Sequence, residues 1–593
     1  MFKAKPSVVA TAVLLSLGLS ACGGSSSNSS DKKEPEAVNP APTALTLSAT
    51  MIDENALGAQ VGTLSVTDDA NDTHTYTVSD ERFEVVAGAL KLQDNASIDF
   101  EKEPSIAVTV TVTDSASQSL EQAFTIEITN NDGVQSVLDG LTIPTTYAFD
   151  SKVEAGSSVS YSGQTARQVL IIELVNYIGS GLEADLNKGV YTSAEQVKAK
   201  LMRMYAPTEA QWGDDADDAL TLSTTPAATD MSLRDISSSY KNLKGKIAGE
   251  DATGQTKNWS TDLIGWNEKG SVTPSGVIEA LFDQLAANAQ AQIEGSIRVD
   301  EVIGANIAKP YINTDGTDIK QLVQKFLLGA VNFSQAADDY LDNDIEGKGL
   351  LSDNLQGDKG TKAYTSLEHQ FDEGFGYFGA ARDYTAYTDD EIASKGGRAD
   401  WQGHHDSDAD GSINLQAEFN FGHSQNAAKR DRGTVGNTAA TDYTAQAFEA
   451  FVTGRAIINS AVTRGFTDDE MTTLLEQRDT AVLVWEKAIA ATAVHYINDT
   501  IADLEKIGTS GYSADDYADL AKHWSELKGF SLNLQFNPRS PLSESDFTMV
   551  QQKIGMKPAL NAADVAAYTT ELQAARDILQ AAYHFDAENV SGW

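Results

Sequence analysis

The sequence predicts two folded parts in tandem: a small all-β sandwich, then a large, mainly α-helical bundle domain. Two changes of pattern carry this prediction. Across residues 45–128, short stretches alternate apolar with polar residues, the period of a strand with one buried face. After Gly133 the apolar residues recur at i, i+3 and i+4, the period of a helix with one buried stripe. The chain has 593 residues, 41% hydrophobic and 22% charged. That is ordinary for globular protein and enough for several domains of about 100–200 residues each.

The first 42 residues suit neither pattern. Lys3 and Lys5 precede a short apolar run over residues 8–19. The run is too short to span a bilayer and reads as the core of a signal peptide, residues 1–21. Cys22 is the only cysteine, which excludes an internal disulfide framework and a multi-cysteine zinc site. Leu19-Ser20-Ala21-Cys22 resembles the lipobox of bacterial lipoproteins. The resemblance implies cleavage before Cys22 and attachment of acyl chains, palmitate among them, to that residue. Gly23 follows the cysteine where an Asp would retain the protein in the inner membrane, so the family pattern implies a lipid-anchored protein of the cell outer membrane. Residues 22–42 are rich in Gly, Ser and Asn, then in Lys, Glu and Pro, and form a flexible tether.

Residues 43–132 make the β-sandwich. Alternation is clear over residues 61–67, 73–78, 106–113 and 124–128, with Gly, Asn and Asp between. Glu54-Asn55, Gly58, Val61-Gly62-Thr63-Leu64 and Val66-Thr67-Asp68 resemble the opening of a cadherin repeat. Phe83, Gly88-Ala89-Leu90, Ile98-Asp99-Phe100-Glu101, Val110-Thr111-Val112-Thr113-Asp114, Ile126 and Asn131-Asp132 continue it in order. The resemblance implies calcium ligands at Glu54, Asp99, Glu101 and Asp132. The linker Thr129-Asn130-Asn131-Asp132-Gly133 lacks the first Asp and the final Asn of that pattern, and no second repeat follows. A calcium-free spacer is the other reading.

Residues 140–593 make the helical domain. Helical periodicity runs over residues 166–178, 194–205, 233–247, 275–292, 319–340, 363–378, 442–460, 468–507 and 562–585. Thr192-Ser193-Ala194-Glu195 and Ser513-Ala514-Asp515-Asp516 are helix-start signals. About ten helices make one large domain or two packed bundles.

Charge narrows the function. Lys and Arg total 43 against 86 Asp and Glu, a net charge of −43. Such a chain is repelled by nucleic acid and by anionic lipid, and attracts cations. Asp406-Ser407-Asp408-Ala409-Asp410-Gly411-Ser412-Ile413-Asn414 has the front half of an EF-hand-type calcium loop. Carboxylates alternate, Gly allows the sharp turn and an apolar anchor follows. Asp406, Asp408 and Asp410 are expected to ligate by side chain and Ser412 by its carbonyl. The usual closing position holds Ala417, so Glu418 is the expected closing ligand. The other reading is an acidic turn that caps a helix.

A second candidate is Glu368-His369-Gln370-Phe371-Asp372-Glu373. On a helix, His369 shares a face with Asp372 and Glu373. That set can hold iron or zinc, or act as an acid–base pair; a His–carboxylate surface pair packed under aromatic residues is the structural alternative. No His-Glu-x-x-His, Gly-x-Ser-x-Gly, P-loop or dinucleotide motif is present, and no residue is assigned a catalytic role. Arg430 and Arg455 are expected to be internal ion-pair partners.

Ser160-Tyr161-Ser162-Gly163-Gln164-Thr165-Ala166-Arg167, residues 369–379, residues 419–431 and Gly454-Arg455 resemble a family of bacterial envelope lipoprotein domains of unknown function. More distantly, the region is similar to the imelysin-like proteins, helical envelope proteins with a His-x-x-Glu motif that are associated with iron uptake. Here His369-x-x-Asp372 has Asp for Glu and lacks the preceding Gly. The combined expectation is a lipid-anchored, calcium-binding envelope protein without enzymatic activity. Its helical domain would bind an envelope protein, a metal or a small molecule. The alternatives are an imelysin-like iron- or metal-handling protein and a metal-dependent peptidase.

Overall fold

The computed structural model describes residues 39–593, apart from 55, 57, 70–71, 94–95, 99, 101, 131, 213–231, 252–253 and 395–402. The predicted leader, Cys22 and the tether as far as residue 38 lie outside the described residues. The chain divides into two units between residues 131 and 132.

In the first unit, eight strands form two four-stranded sheets. One runs β1 (Ala44–Leu47), β3 (Gln60–Thr67), β6 (Ala89–Leu92), β5 (Phe83–Val86). The other runs β2 (Met51–Asp53), β8 (Ser119–Thr129), β7 (Ser105–Thr113), β4 (Thr75–Val78). Pairing is antiparallel except for β2 on β8. The alternation sets the faces. In β7, Ile106, Val108, Val110 and Val112 turn inward and the residues between them do not. With Leu90, Leu92 and Ile126 they close the core, each fully buried aliphatic contributing about 1.5–3 kcal/mol. The register of β3 on β6 shifts between Gln60 and Gly62. A Cβ at Gly62 would lie 2.8 Å from the Ala49 nitrogen, so only glycine lets β3 pass there.

The second unit is helical, and its spine is the 37-residue helix Asp468–Leu504, about 55 Å long at 1.5 Å per residue. Thr467 and Glu470 form a reciprocal capping box at its start. Most of its middle is buried, from Ala481 to Val494, with Trp485 fully enclosed and Leu483 and Lys487 half-buried. The helices Gly422–Gly433, Tyr443–Ala461, Ala514–Asn533 and Ala562–Tyr583 pack around it.

Two sequence expectations change here. Residues 233–247 are not one helix: only Leu233–Ile236 is α-helical, with a short 3₁₀ turn at Lys244–Lys246. Nor do residues 319–340 form an unbroken α-helix. Ile319–Leu327 is α-helical, and wider π-helical turns follow at Leu328–Phe333 and Ala336–Tyr340. Asn533 explains the first widening. Its side chain lies against Gly329 and donates to the Lys325 carbonyl at 3.0 Å, an acceptor that an α-helix would give to residue 329. A Cβ at Gly329 would fall 1.9 Å from Asn533 Oδ1 and 2.6 Å from its Cβ. Gly329→Ala is therefore expected to destabilise by about 1–3 kcal/mol through overpacking. Thermal melts would check this, and Asn533→Ala added to it should recover part of the loss.

Candidate functional site

The acidic loop turns back on itself through two left-handed residues, Ala409 (φ 58°) and Gly411 (φ 86°). Ile413 anchors it in the core. The Asp406 carboxylate accepts from the Asp410 and Gly411 amides, each at 3.1 Å, and Asp408 accepts from the Asp410 amide at 3.2 Å. Buried Glu418 reaches across the loop. Its Oε1 accepts from the Ser407 amide (2.6 Å) and hydroxyl (2.5 Å), and its Oε2 from the Asn414 amide (2.8 Å).

The result is that oxygens of Asp406, Asp408 and Glu418 lie within 4.8 Å of one another. Three like charges this close attract a cation, and oxygen donors of this kind suit calcium. Asp410, an expected ligand, is not in this group. Its Oδ1 takes the Ser412 amide (2.8 Å) and hydroxyl (2.6 Å), which hold its carboxyl below the ordinary value.

A second acidic group lies in the β unit, at residues to which sequence reasoning gave no ligand role. Oxygens of Asp68, Asp72 and Asp114 also lie within 4.8 Å of one another. Asp68 and Asp72 follow β3, whereas Asp114 follows β7. Hydrogen bonds from the Ser115 hydroxyl and from Asn39 hold the Asp72 carboxyl down at about 2. Asp68 Oδ2 lies 2.8 Å from His74 Nε2, while its buried Oδ1 has no partner among the described residues. The signal was present in Val66-Thr67-Asp68 and Val112-Thr113-Asp114, but β3 and β7 belong to different sheets, so only the packing of the two sheets brings those ends together.

Of the four calcium positions expected in the β unit, Glu54 is buried and accepts from the Phe100 amide at 3.1 Å. Asp99 and Glu101 lie outside the described residues. Asp132 begins the helix Asp132–Gly140, and its side chain is not described.

The helix Ser366–Phe378 carries the His369 group and is started by a capping box of Thr365 with Glu368. His369 Nδ1 donates to the Ser160 carbonyl at 2.8 Å, and the ring stacks on Tyr364 at 4.7 Å. Its Nε2 lies 3.8 Å from Glu373 Oε1. Asp372 faces the interior instead. Its oxygens accept from Arg455 Nε (2.8 Å), Tyr147 OH (2.9 Å) and the Ser160 amide (2.8 Å). Neighbours in sequence are about 100° apart around a helix, which is enough to put Asp372 inside and Glu373 at the boundary. Burial pushes the Asp372 carboxyl up, with the Arg455 charge opposing. His369, Asp372 and Glu373 are not among the groups of three whose donors cluster within 4.8 Å among the described residues.

Arg455 is an internal ion-pair partner, as its rarity suggested: it lies between Glu368 and Asp372. His423 is enclosed by Phe333, Trp485 and Phe530. Neither of its ring nitrogens has a hydrogen-bond partner among the described residues, and burial pushes its pKa down to about 3. His405 stacks on Tyr387 at 3.7 Å, with Asp383 and Glu391 at 3.1 and 3.6 Å.

No helix among the described residues is long and apolar enough to cross a membrane. Comparison with curated proteins and with solved structures finds no match. A domain of unknown function, DUF4856, covers residues 144–403, a stretch that contains His369, Asp372 and Glu373 and stops before the acidic loop.

Proposed function

We propose that this is a lipid-anchored protein of the cell outer membrane whose helical unit binds calcium in the loop 406–418 and engages a partner or small ligand of the envelope. One observation carries the calcium reading: carboxylate oxygens of Asp406, Asp408 and Glu418 converge within 4.8 Å in a loop pinned by buried Ile413. The anchor rests on Leu19-Ser20-Ala21-Cys22. The cadherin-like and envelope-lipoprotein resemblances agree with that location. Readings that need His369 and Asp372 to share an iron or zinc ion, including the peptidase reading, are less favoured because Asp372 is held by Arg455.

The test is calcium titration of the chelator-treated protein, with thermal melts beside it. Calcium at 100 times its Kd should add about 2.7 kcal/mol to the stability of the unit that binds it. Asp408→Ala should abolish that gain in the helical unit. Persistence of the gain in Asp408→Ala and its loss in Asp72→Ala would move the ion to the β unit. No gain at all would end the calcium reading. For the anchor, Cys22→Ser should release the protein from the membrane fraction.

A further inference from the structure

We propose a separate metal site on the helical unit, formed by His495, Asp499 and His523 and suited to a divalent transition ion of the zinc class. His495, Asp499 and Asp503 stand at i, i+4 and i+8 on the helix Asp468–Leu504, so they share one stripe. The neighbouring helix Ala514–Asn533 brings His523 alongside.

Both rings are fixed by an oxygen that can only accept. His495 Nδ1 donates to the main-chain oxygen of Trp593 at 3.0 Å, and His523 Nδ1 to Asp503 Oδ2 at 2.7 Å. The proton therefore sits on Nδ1 in each neutral ring, and the lone pair sits on Nε2. Both Nε2 atoms face the same oxygen, Asp499 Oδ2, at 3.3 and 3.9 Å. A lone pair facing a carboxylate is repulsive unless a cation lies between them.

Two imidazoles and one carboxylate are a donor set for zinc and its neighbours. The bonds at the far nitrogens are the backing that metal-bound histidines use. The three side chains are 28, 35 and 20% exposed, so an ion can enter and water can complete the shell. Surrounding charges are mixed: Asp503 and Glu526 attract, whereas Arg430, Lys506 and Lys522 repel. Burial and the Arg430 charge hold His495 below the usual histidine value. Burial disfavours charge on His523 too, but Asp503 outweighs it and raises its pKa, so there the ion competes with a proton. The three donors are not a group within 4.8 Å, so side-chain rotation draws them together on loading.

The test uses the full chelator-treated protein and cobalt(II), a coloured stand-in for zinc. One equivalent should bind with visible d–d absorption, and zinc should displace it. His495→Ala and His523→Gln should each abolish the absorption while leaving the melting curve near that of the parent. Asp503→Asn takes away the charge behind His523, together with the Lys506 ion pair, and should weaken cobalt about 10–100-fold. Asp408→Ala should leave cobalt binding unchanged, which separates this site from the acidic loop. Absence of saturable cobalt absorption in the parent would overturn the proposal. So would absorption that survives both histidine variants.

Discussion

Arg455→Met is expected to destabilise the helical unit by about 3–5 kcal/mol, the range for removing one partner from a buried ion pair. Arg455 is completely buried and bonds Asp372 Oδ1 at 2.8 Å, Glu368 Oε1 at 2.9 Å and Ser158 Oγ at 2.8 Å. Its guanidinium also lies 4.9 Å from the Phe149 ring centre. Methionine fills the space but leaves two carboxylates without a cation. Glu368 would keep the Thr365 amide and Asn459, and Asp372 would keep Tyr147 and the Ser160 amide. These neutral donors soften the loss without cancelling two buried charges.

The loss should depend on pH in a definite direction. Burial already raises the Asp372 carboxyl, and Arg455 is the main opposing influence. Without Arg455, the folded carboxyl rises further above its unfolded value. The folded state then binds more protons than the unfolded state between those two values, so the variant loses stability as pH rises through that window. Urea unfolding at pH 5 and pH 8 would show a larger deficit at pH 8. A deficit under about 1 kcal/mol at both, far below the buried-pair range, would mean that the neutral donors alone support the two carboxylates.

This network marks where the sequence stops being legible. Alternation gave the inward faces of β3, β7 and β8, because a period of two is local. Helical periodicity likewise gave the spine helix, whose start is fixed by neighbours three residues apart. The acidic loop was legible for the same reason: Asp406, Asp408 and Glu418 are joined by one short turn, and Ile413 fixes its depth. Asp372 was not. Its spacing from His369 is the same whether it faces solvent or Arg455, and Arg455 lies on another helix. The Asp68, Asp72 and Asp114 group and the His495, Asp499 and His523 group are also assembled by tertiary packing. The π-helical turn at Gly329 depends on Asn533, so periodicity within its own segment could not reveal it.

Lys528→Met is expected to stabilise the protein below about pH 7 and to lose that advantage in alkali. Lys528 is fully buried, and burial alone pushes its pKa down to about 7. Among the described residues its ammonium meets no carboxylate; the side chain bonds Gln551 Oε1 at 2.9 Å. It lines a cleft of about 410 Å³ with Ile264, Asn267 and Met556. An unfolded lysine titrates near 10.4, so the folded state binds fewer protons between about pH 7 and 10.4. Stability contributed by this group is therefore present above the unfolded value and is lost as pH falls through about 7. The penalty at low pH approaches about 5 kcal/mol, from about 1.4 kcal/mol per unit. Methionine removes it but leaves Gln551 Oε1 without this donor, which costs about 1–3 kcal/mol. The net gain should be roughly 2–4 kcal/mol at pH 6. Near pH 10 the lysine is neutral in the fold and still bonds Gln551, so the parent should be the more stable protein. Melting curves of the two proteins should therefore cross between those pH values. Curves that stay parallel would mean that Lys528 keeps its charge when folded, which in this cleft requires an anion from solution to sit beside it.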